Sequence, residues 1–535
     1  MKVVRAHRPM RIGRSGAVAS NHPAATQAGF DVLRAGGNAI DAAVAVSLAI
    51  GVVEPHMSGL GGDGFFHCFL SGKSEGIVYN GSGFAPAGHV PEGITSLPLR
   101  GPRSVSVPGA ISALGVMHAQ HGTLPWSELG VPAIEAAKDG FGVTHVYQRF
   151  ASKYADEIRP YPISTKLYLR EGDAPTIGEF IVQPQLAMSL EMLAKDGAES
   201  FYRGGLAEQI VVDMHDAGVH ITVDELARFN AEVQRPIAVN YRGFEVRQTP
   251  PNSTGFVFLQ ALKLVEAKLP SDCSFLSAGI AHTLIEAKKL AFVERERYAG
   301  DPHESSIPVE VMLDEHRLRG LAECIDQKKS AVLPVRPSAG DGNTTYFCIV
   351  DRWGNAVSAI QSLNTCFGSG VTLERTGILL NNRMSCWHLD AGHTNRLVAG
   401  RRVRHTMNAP MVLKDGKVWA VFGTPGADDQ VQSNLQVAVG LIDFDMDPQS
   451  VVEAPRWSSS QEGQEANWPH AGDDALTIER TYPEDARSEL ANRGHQLVEV
   501  PYLEGPCSVA CIRILENGAR VAASDPRRDG WAAAY

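Results

Sequence analysis

Apolar side chains recur at helical spacing over residues 22–35 (HPAATQAGFDVLRA), and Gly36-Gly37 ends that pattern. Asn38 then reads as the N-cap of a second helix, NAIDAAVAVSLAIGVVEP, which Pro55 breaks. The abundance of alanine on this second helix predicts close packing against a neighbour. Helical segments are also read around 110–120, 126–138, 185–196, 224–231, 256–268, 279–298, 428–444 and 482–493, with 279–298 densely charged. Between them stand segments of strand character: FFHCFL with EGIVYN, PMVLKDGKVWAVFG, HQLVEV, and VACIRILENGARVAASDPR. The stretch TTYFCIVDRWGNAVSAIQSLN reads as two strands joined by a tight Trp353-Gly354-Asn355 turn. Long helices outside and hairpins inside predict an α+β fold in which two helical layers enclose two antiparallel sheets.

Two stretches stand apart from this pattern. The glycine cluster Ser58–Gly64 (SGLGGDG) has neither the lysine of a Walker loop nor the spacing of a dinucleotide loop. It reads instead as a tight backbone passage into the strand that follows. Residues 301–343 open with DPHESSIP and close with KKSAVLPVRPSAGDGN, a composition that predicts a flexible segment.

Bulk composition narrows the classes. A chain of 535 residues can bury a large core. Lys+Arg 49 against Asp+Glu 60 gives a formal charge of -11 with no basic tract, which argues against a nucleic-acid partner. The basic start lacks an apolar signal core, and the apolar stretch around Ala42–Val53 is too short to span a bilayer. The expectation is a cytoplasmic protein without a membrane partner. Eight scattered cysteines form no CxxC and no zinc spacing, so they read as buried free thiols; no cofactor and no metal are expected.

The junction Asn343-Thr344, where the loop-like segment meets a central hairpin, admits two readings. Threonines suit strands by themselves. Alternatively, cleavage before Thr344 would place a free α-amine and a hydroxyl on one residue. An amine with a pKa near 8 can deprotonate the hydroxyl and return the proton to a leaving amine, so no His/Asp triad is needed.

Nine blocks give the junction its context: AGGNAIDAAVA (35–45), EPHMSGLGGDGF (54–65), VPGA (107–110), HGTLPW (121–126), EAKKLAFVERERYAGDP (286–302), NTTYFCIVDRWGNAVS (343–358), SLNTCFGSG (362–370), GILLNNRM (377–384) and FGTPGADD (422–429). In order and spacing they resemble the γ-glutamyltranspeptidase family, essentially end to end. The resemblance implies the αββα Ntn-hydrolase sandwich. It also implies a precursor that cuts itself into a large subunit, 1–343, and a small catalytic subunit, 344–535, which remain together as a heterodimer; further pairing of heterodimers is left open. By position, Thr344 matches the nucleophile and Ser362 the hydroxyl that orients its amine. Asn364 matches a donor-binding asparagine. Gly426 and Ala427 match the pair whose backbone N–H groups receive the oxyanion.

Other positions depart from the family. The arginine that clamps the glutamate α-carboxylate is replaced by Ser82. The groups that hold the α-amine are replaced by Arg383 and Cys386, and a pair of serines by His405 and Thr406. Losing a carboxylate clamp and an ammonium partner leaves a bound glutamyl head poorly served. The expectation is therefore hydrolysis of a small acyl amide without the α-amine, oxamate-like or a dicarboxylic monoamide, as in the divergent branch that includes oxamate amidohydrolase and glutaryl acylases. The alternatives are a γ-glutamyltransferase or glutathione hydrolase, and an inactive pseudoenzyme.

Overall fold

The computed structural model describes residues 8–271, 273–305, 307–333, 343–470 and 472–535. Strand pairing builds two seven-stranded antiparallel sheets that face each other between helical layers, the expected four-layer α+β sandwich. The first sheet runs in the order Trp531–Ala534, Ala17–Ser20, Asn343–Val350, Ala356–Asn364, Asp63–Phe69, Ile77–Gly81, Glu232–Gln234. The second runs Arg11–Gly13, Arg520–Ser524, Ala510–Ile514, Lys417–Gly423, Met411–Lys414, Phe244–Gln248, Ile237–Tyr241.

Period-2 alternation assigns the faces. In strand Asn343–Val350, Tyr346, Cys348 and Val350 point between the sheets, where they meet Phe65, Ile360, Met411, Val421 and Ile512. Phe347 and Ile349 point the other way, into the core beneath helices Pro23–Ala35 and Ala39–Val53. Burial on both faces accounts for the nearly continuous apolar run of this strand. Helix Ala39–Val53 is buried along its whole length and starts with a capping box between Asn38 and Asp41. The opposite layer places helices Gly255–Lys268, Ala278–Tyr298 and Asp429–Ile442 on Val412, Ala420, Phe422 and Cys511 of the second sheet. Each fully buried Val, Leu, Ile or Phe in these layers contributes about 1.5–3 kcal/mol.

Several elements differ from the periodicity reading. The segment 126–138 divides at Gly130 into Trp126–Leu129 and Val131–Asp139, with a proline at the start of the second helix. Helices His145–Ile158, Pro162–Tyr168 and Gly205–Asp216 and the hairpin Ile237–Tyr241/Phe244–Gln248 are additional. The stretch read as flexible contains helices Val309–Met312 and Glu315–Ala322. Beyond them the chain is tied down: Ala331 N donates to Glu286 at 3.0 Å, Lys289 Nζ to Ala331 O at 2.8 Å, and Ser330 N to Arg493 O at 2.7 Å. The Pro/Gly-rich end of that stretch, 334–342, lies outside the described residues. All eight cysteines are unpaired thiols. Among the described residues no helix is long and apolar enough to cross a membrane.

Candidate active site

Thr344 sits at the start of the central strand and is 2% exposed. Its Oγ1 donates to Ser362 Oγ at 3.1 Å, and Ser362 Oγ accepts from Asn364 N at 2.8 Å. The register beside it is irregular. Pairing passes from Asn343↔Asn364 to Thr345↔Gln361, so a two-residue step in one strand meets a three-residue step in its neighbour. Such a bulge re-aims side chains, and here it turns Ser362 toward Thr344. Asn364 carries the positive φ that ends the irregularity, 84°. The glycine cluster makes room for this arrangement: a Cβ on Gly62 would lie 2.5 Å from Ser362 O, and one on Gly61 2.3 Å from Leu379 O. The tight passage read from the sequence is thus a backbone crossing directly against the bulge.

Two buried groups hold the same peptide from its other sides. Arg528 Nη1 donates to Thr344 O at 3.2 Å, and Thr345 Oγ1 donates to Glu54 at 2.6 Å. Burial pushes the Glu54 carboxyl up to about 7, against the opposing pull of the Thr345 hydrogen bond and the Arg528 charge.

Asn364 links Thr344 to a cluster of buried polar side chains. Its Oδ1 accepts from Arg383 Nη1 at 3.0 Å, while its Nδ2 donates to Asn467 Oδ1 at 2.7 Å and to Ser385 Oγ at 3.1 Å. Arg383 is 2% exposed. Its Nε faces Asp63 Oδ2 at 3.3 Å, and Asp63 Oδ1 accepts from Gly83 N at 2.8 Å. Burial raises the Asp63 pKa, and the Arg383 cation beside it pulls in the opposite direction. Cys386 Sγ lies 3.2 Å from Asn467 Oδ1 and 3.5 Å from Asn364 Oδ1, its pKa raised by burial. His405 packs edge-on against Phe65, with Nε2 3.6 Å from Asp63. Burial, reinforced by Arg383 and Arg402, holds its pKa well below the usual value, so the ring is neutral. Ser82 turns its hydroxyl to Asn80 at 2.6 Å and Asn252 at 3.2 Å, and its carbonyl accepts from Arg402 at 2.9 Å. Thr406 is buried next to His405 and accepts from Asn408 Nδ2 through its carbonyl at 2.6 Å. Among the described residues Arg383 Nη2, Asn467 Nδ2 and both His405 ring nitrogens have no hydrogen-bond partner. A buried polar group left so costs about 1–3 kcal/mol, and a ligand oxygen would recover that cost.

Gly426 and Ala427 lie in the turn between strand Lys417–Gly423 and helix Asp429–Ile442, with φ of 120° and 46°. Gly426 O and Ala427 O accept from Asp429 N and Gln430 N, which sets the turn on the N-terminal end of the helix. The positive end of the helix dipole favours a developing negative charge there. Arg295 fixes the turn through its ion pair with Asp428. Gly423, at the end of the strand, lies flat on Tyr346, two residues beyond Thr344 in the facing sheet.

Two side-chain groups among the described residues have metal-ligand spacing, His282/Glu286/His495 and Glu296/His388/His393. In each a side-chain cation already occupies the carboxylate: Lys289 at 3.1 Å from Glu286 and Arg404 at 2.8 Å from Glu296. The His388 and His393 rings stack 3.5 Å apart at 10°, so their nitrogen lone pairs run parallel rather than converging on one ion.

The fold thus joins Thr344, Ser362, Asn364, Arg383 and Cys386 into one hydrogen-bonded assembly, with His405 against it through Asp63. Ser82 is bound away from the assembly and reaches it through its neighbour Gly83 and through Asn252, whose carbonyl accepts from His405 N at 2.8 Å. Asp63, Asn467, Glu54 and Arg528 were not singled out in the sequence. Only Asp63 carried a local signal, a carboxylate inside a glycine cluster opening an apolar strand.

The Gamma-glutamyltranspeptidase family model matches residues 25–535. The chain is 36% identical to the Glutathione hydrolase-like YwrD proenzyme of Bacillus subtilis (strain 168), covering 97% of this chain and 98% of that protein. It is 33% identical to the Oxamate amidohydrolase proenzyme of Klebsiella pneumoniae, covering 98% and 99%. Among solved structures, cephalosporin acylase from Bacillus halodurans superposes with a TM-score of 0.90 at 33% identity, covering 99% of this chain and 98% of that one.

Proposed function

The chain belongs to the gamma-glutamyltranspeptidase family of Ntn-hydrolases, and from that premise we propose an amide hydrolase that matures by cutting its own chain before Thr344 into residues 1–343 and 344–535. Thr344 Oγ attacks the carbonyl of residue 343, the C–N bond breaks to free the Thr344 amine, and water hydrolyses the resulting ester to free the hydroxyl and the carboxylate of residue 343. In each later cycle that amine takes the hydroxyl proton as Oγ adds to the substrate carbonyl. Ser362, 3.1 Å away, holds Oγ in line. The N–H groups of Gly426 and Ala427 receive the oxyanion. The amine returns the proton to the leaving nitrogen, and water releases the acyl group from Thr344.

The acyl group we assign is a short one that carries a carboxylate. The observation behind this is Arg383: a buried guanidinium bonded to Asn364 whose Nη2 has no hydrogen-bond partner among the described residues. Asn467 Nδ2 offers a second uncommitted donor in the same cluster. Within that class the names of relatives back γ-glutamyl amides, glutathione included, better than the oxamate-like reading: the glutathione hydrolase-like relative is the more similar, at 36% against 33%. Asp63 adds an anion near the cation, so the cluster holds both charges that a glutamyl head requires, a point hidden when Ser82, Arg383 and Cys386 are weighed alone. A second reading, an acyl donor without the α-amine, draws on the hydrogen-bond inventory. Asp63 and Asn364 Oδ1 are both already engaged by Arg383, so the spare donors suit a carboxylate, while the acceptor nitrogen left on the neutral His405 ring carries no charge to match an ammonium.

The test is amine release by the cleaved protein from γ-glutamyl-anilide and glutathione beside glutaryl-anilide and oxamate. Turnover of the γ-glutamyl compounds supports the first reading. Turnover confined to glutaryl-anilide or oxamate supports the second, and turnover of amides lacking any carboxylate defeats both.

A further inference from the structure

A continuous line of buried polar side chains runs from behind the nucleophile to the oxyanion turn. Thr345 Oγ1 donates to Glu54 at 2.6 Å, and Asn21 Nδ2 reaches the same hydroxyl at 3.5 Å. Asn21 Oδ1 accepts from Ser508 Oγ at 2.8 Å. Ser508 N donates to Thr424 Oγ1 at 3.1 Å, and Thr424 Oγ1 donates to Pro425 O at 3.0 Å, the peptide that enters Gly426. All five side chains are buried. Glu54 also grips the site by a second route, since its carboxyl lies in the field of Arg528, whose Nη1 holds Thr344 O.

The elements carrying these residues belong to different parts of the sandwich. Asn21 follows the strand Ala17–Ser20 of the first sheet, Thr345 lies on the strand beside it, and Thr424 leaves the second sheet. The chain therefore spans the gap between the sheets at the one end where the attacking hydroxyl and the oxyanion donors must be held at a fixed separation. Burying a carboxylic acid and four polar partners is costly, and apolar residues of equal volume would stabilise such a position as well or better. What the polar line adds is fixed geometry.

We propose that Glu54 and Thr345 are positioning residues, and that the line Glu54–Thr345–Asn21–Ser508–Thr424 keeps Thr344 in register with the oxyanion turn. Neither side chain touches the acyl group; both act through the Thr344 peptide. The inference rests on the reading of Thr344 as nucleophile. It differs from that reading in what it requires of the residue after Thr344 and of a glutamate 291 positions before that residue.

The experiment uses the full chain and four variants, Thr345→Val, Thr345→Ser, Glu54→Ala and Glu54→Gln, with Ser508→Ala alone and combined with Thr345→Val. Self-cleavage is followed on a gel. Then kcat and KM per cleaved molecule are measured with the amide that the wild type turns over best, beside a melting temperature. A displacement of about 1 Å at a reacting group costs on the order of 10²-fold in rate. Thr345→Val and Glu54→Ala are therefore expected to slow cleavage and to lower kcat by roughly 10- to 100-fold with KM within about twofold. Thr345→Ser and Glu54→Gln keep the donor and the acceptor and are expected to stay within about threefold of wild type. The Ser508→Ala/Thr345→Val pair is expected to lose little more than Thr345→Val alone, as coupled members of one network do. A Thr345→Val enzyme with wild-type kcat, or a loss confined to KM, overturns the proposal. So does a fall in kcat that follows melting temperature without rescue by serine and glutamine. A wild-type chain that neither cuts itself nor turns over any amide would overturn the Thr344 reading instead.

Discussion

Glu54 gives a stability prediction whose sign and size follow from its surroundings. Its folded pKa, about 7, stands above the ordinary 4.5 because the carboxyl is fully buried. A raised acid binds its proton more tightly in the folded state than in the unfolded one. The stabilising contribution of the neutral acid is therefore complete below pH 4.5 and is lost as pH rises toward 7. At about 1.36 kcal/mol per pKa unit, the interval is worth roughly 3 kcal/mol. Glutamine cannot ionise but still accepts from Thr345, so Glu54→Gln removes this pH dependence and leaves the hydrogen bond in place. The comparison is best made in the uncleaved Thr344→Ala background, where both proteins are single chains. Other groups that titrate between pH 5 and 8 are common to both and cancel in the difference. An unfolding entropy of about 2.1 cal/mol/K per residue makes the full effect roughly 3 °C for 535 residues. Calorimetric melting is therefore expected to show Glu54→Gln gaining on its parent by up to about 3 °C between pH 5 and pH 8. A difference that stays flat, or shrinks with rising pH, refutes the claim that Glu54 is held neutral by burial.

Other consequences can be checked in parallel. Thr344→Ala is expected to give one uncut band on a gel and no amine release, because the attacking hydroxyl is gone for both the cut and the turnover. Arg383→Met should destabilise by about 3–5 kcal/mol by leaving Asp63 buried and unpaired; Asp63→Asn combined with Arg383→Met should recover most of the melting temperature without recovering turnover of carboxylate-bearing donors. Gly426→Ala should lower kcat sharply, since a Cβ there would lie 2.5 Å from Cys507 Sγ on a backbone with φ of 120°. Cys507→Ala in the same chain should relieve only the clash and restore part of the rate.

The layers of the sandwich were legible because local rules set them. Alternation in Tyr346–Val350, the Trp353-Gly354-Asn355 turn and the Asn38 cap each act within a few residues. The hairpin Ile237–Tyr241/Phe244–Gln248 was not legible, since its alternation mixes Asn240, Glu245 and Arg247 with apolar positions on the rim of a sheet. The segment 309–333 falls inside a stretch, 301–343, that reads as flexible because prolines, glycines and polar residues mark its two ends. What orders it is Glu286, Lys289 and Arg493, more than forty residues away on either side. The site divides the same way. Thr344, Ser362 and Asn364 lie on one hairpin and could be read together, whereas the partner of Arg383 is 320 positions distant and no spacing rule connects Asp63 to it. The charge that Arg383 presents could be judged only once that partner was known.

The strand order of the two sheets bears on what a cut before Thr344 can do. In the first sheet, strands from before and after that point alternate: 531–534, then 17–20, then 343–350 and 356–364, then 63–69. In the second, the strand 11–13 and the pair 237–241/244–248 flank four strands from the other side of the junction. The two products would be interlocked like the fingers of clasped hands, each supplying rungs that the other's ladder needs. Parting them would mean tearing both ladders, so their separation and their unfolding would be one event. Dilution alone would not pull them apart, because each would leave strands of the other without their neighbours.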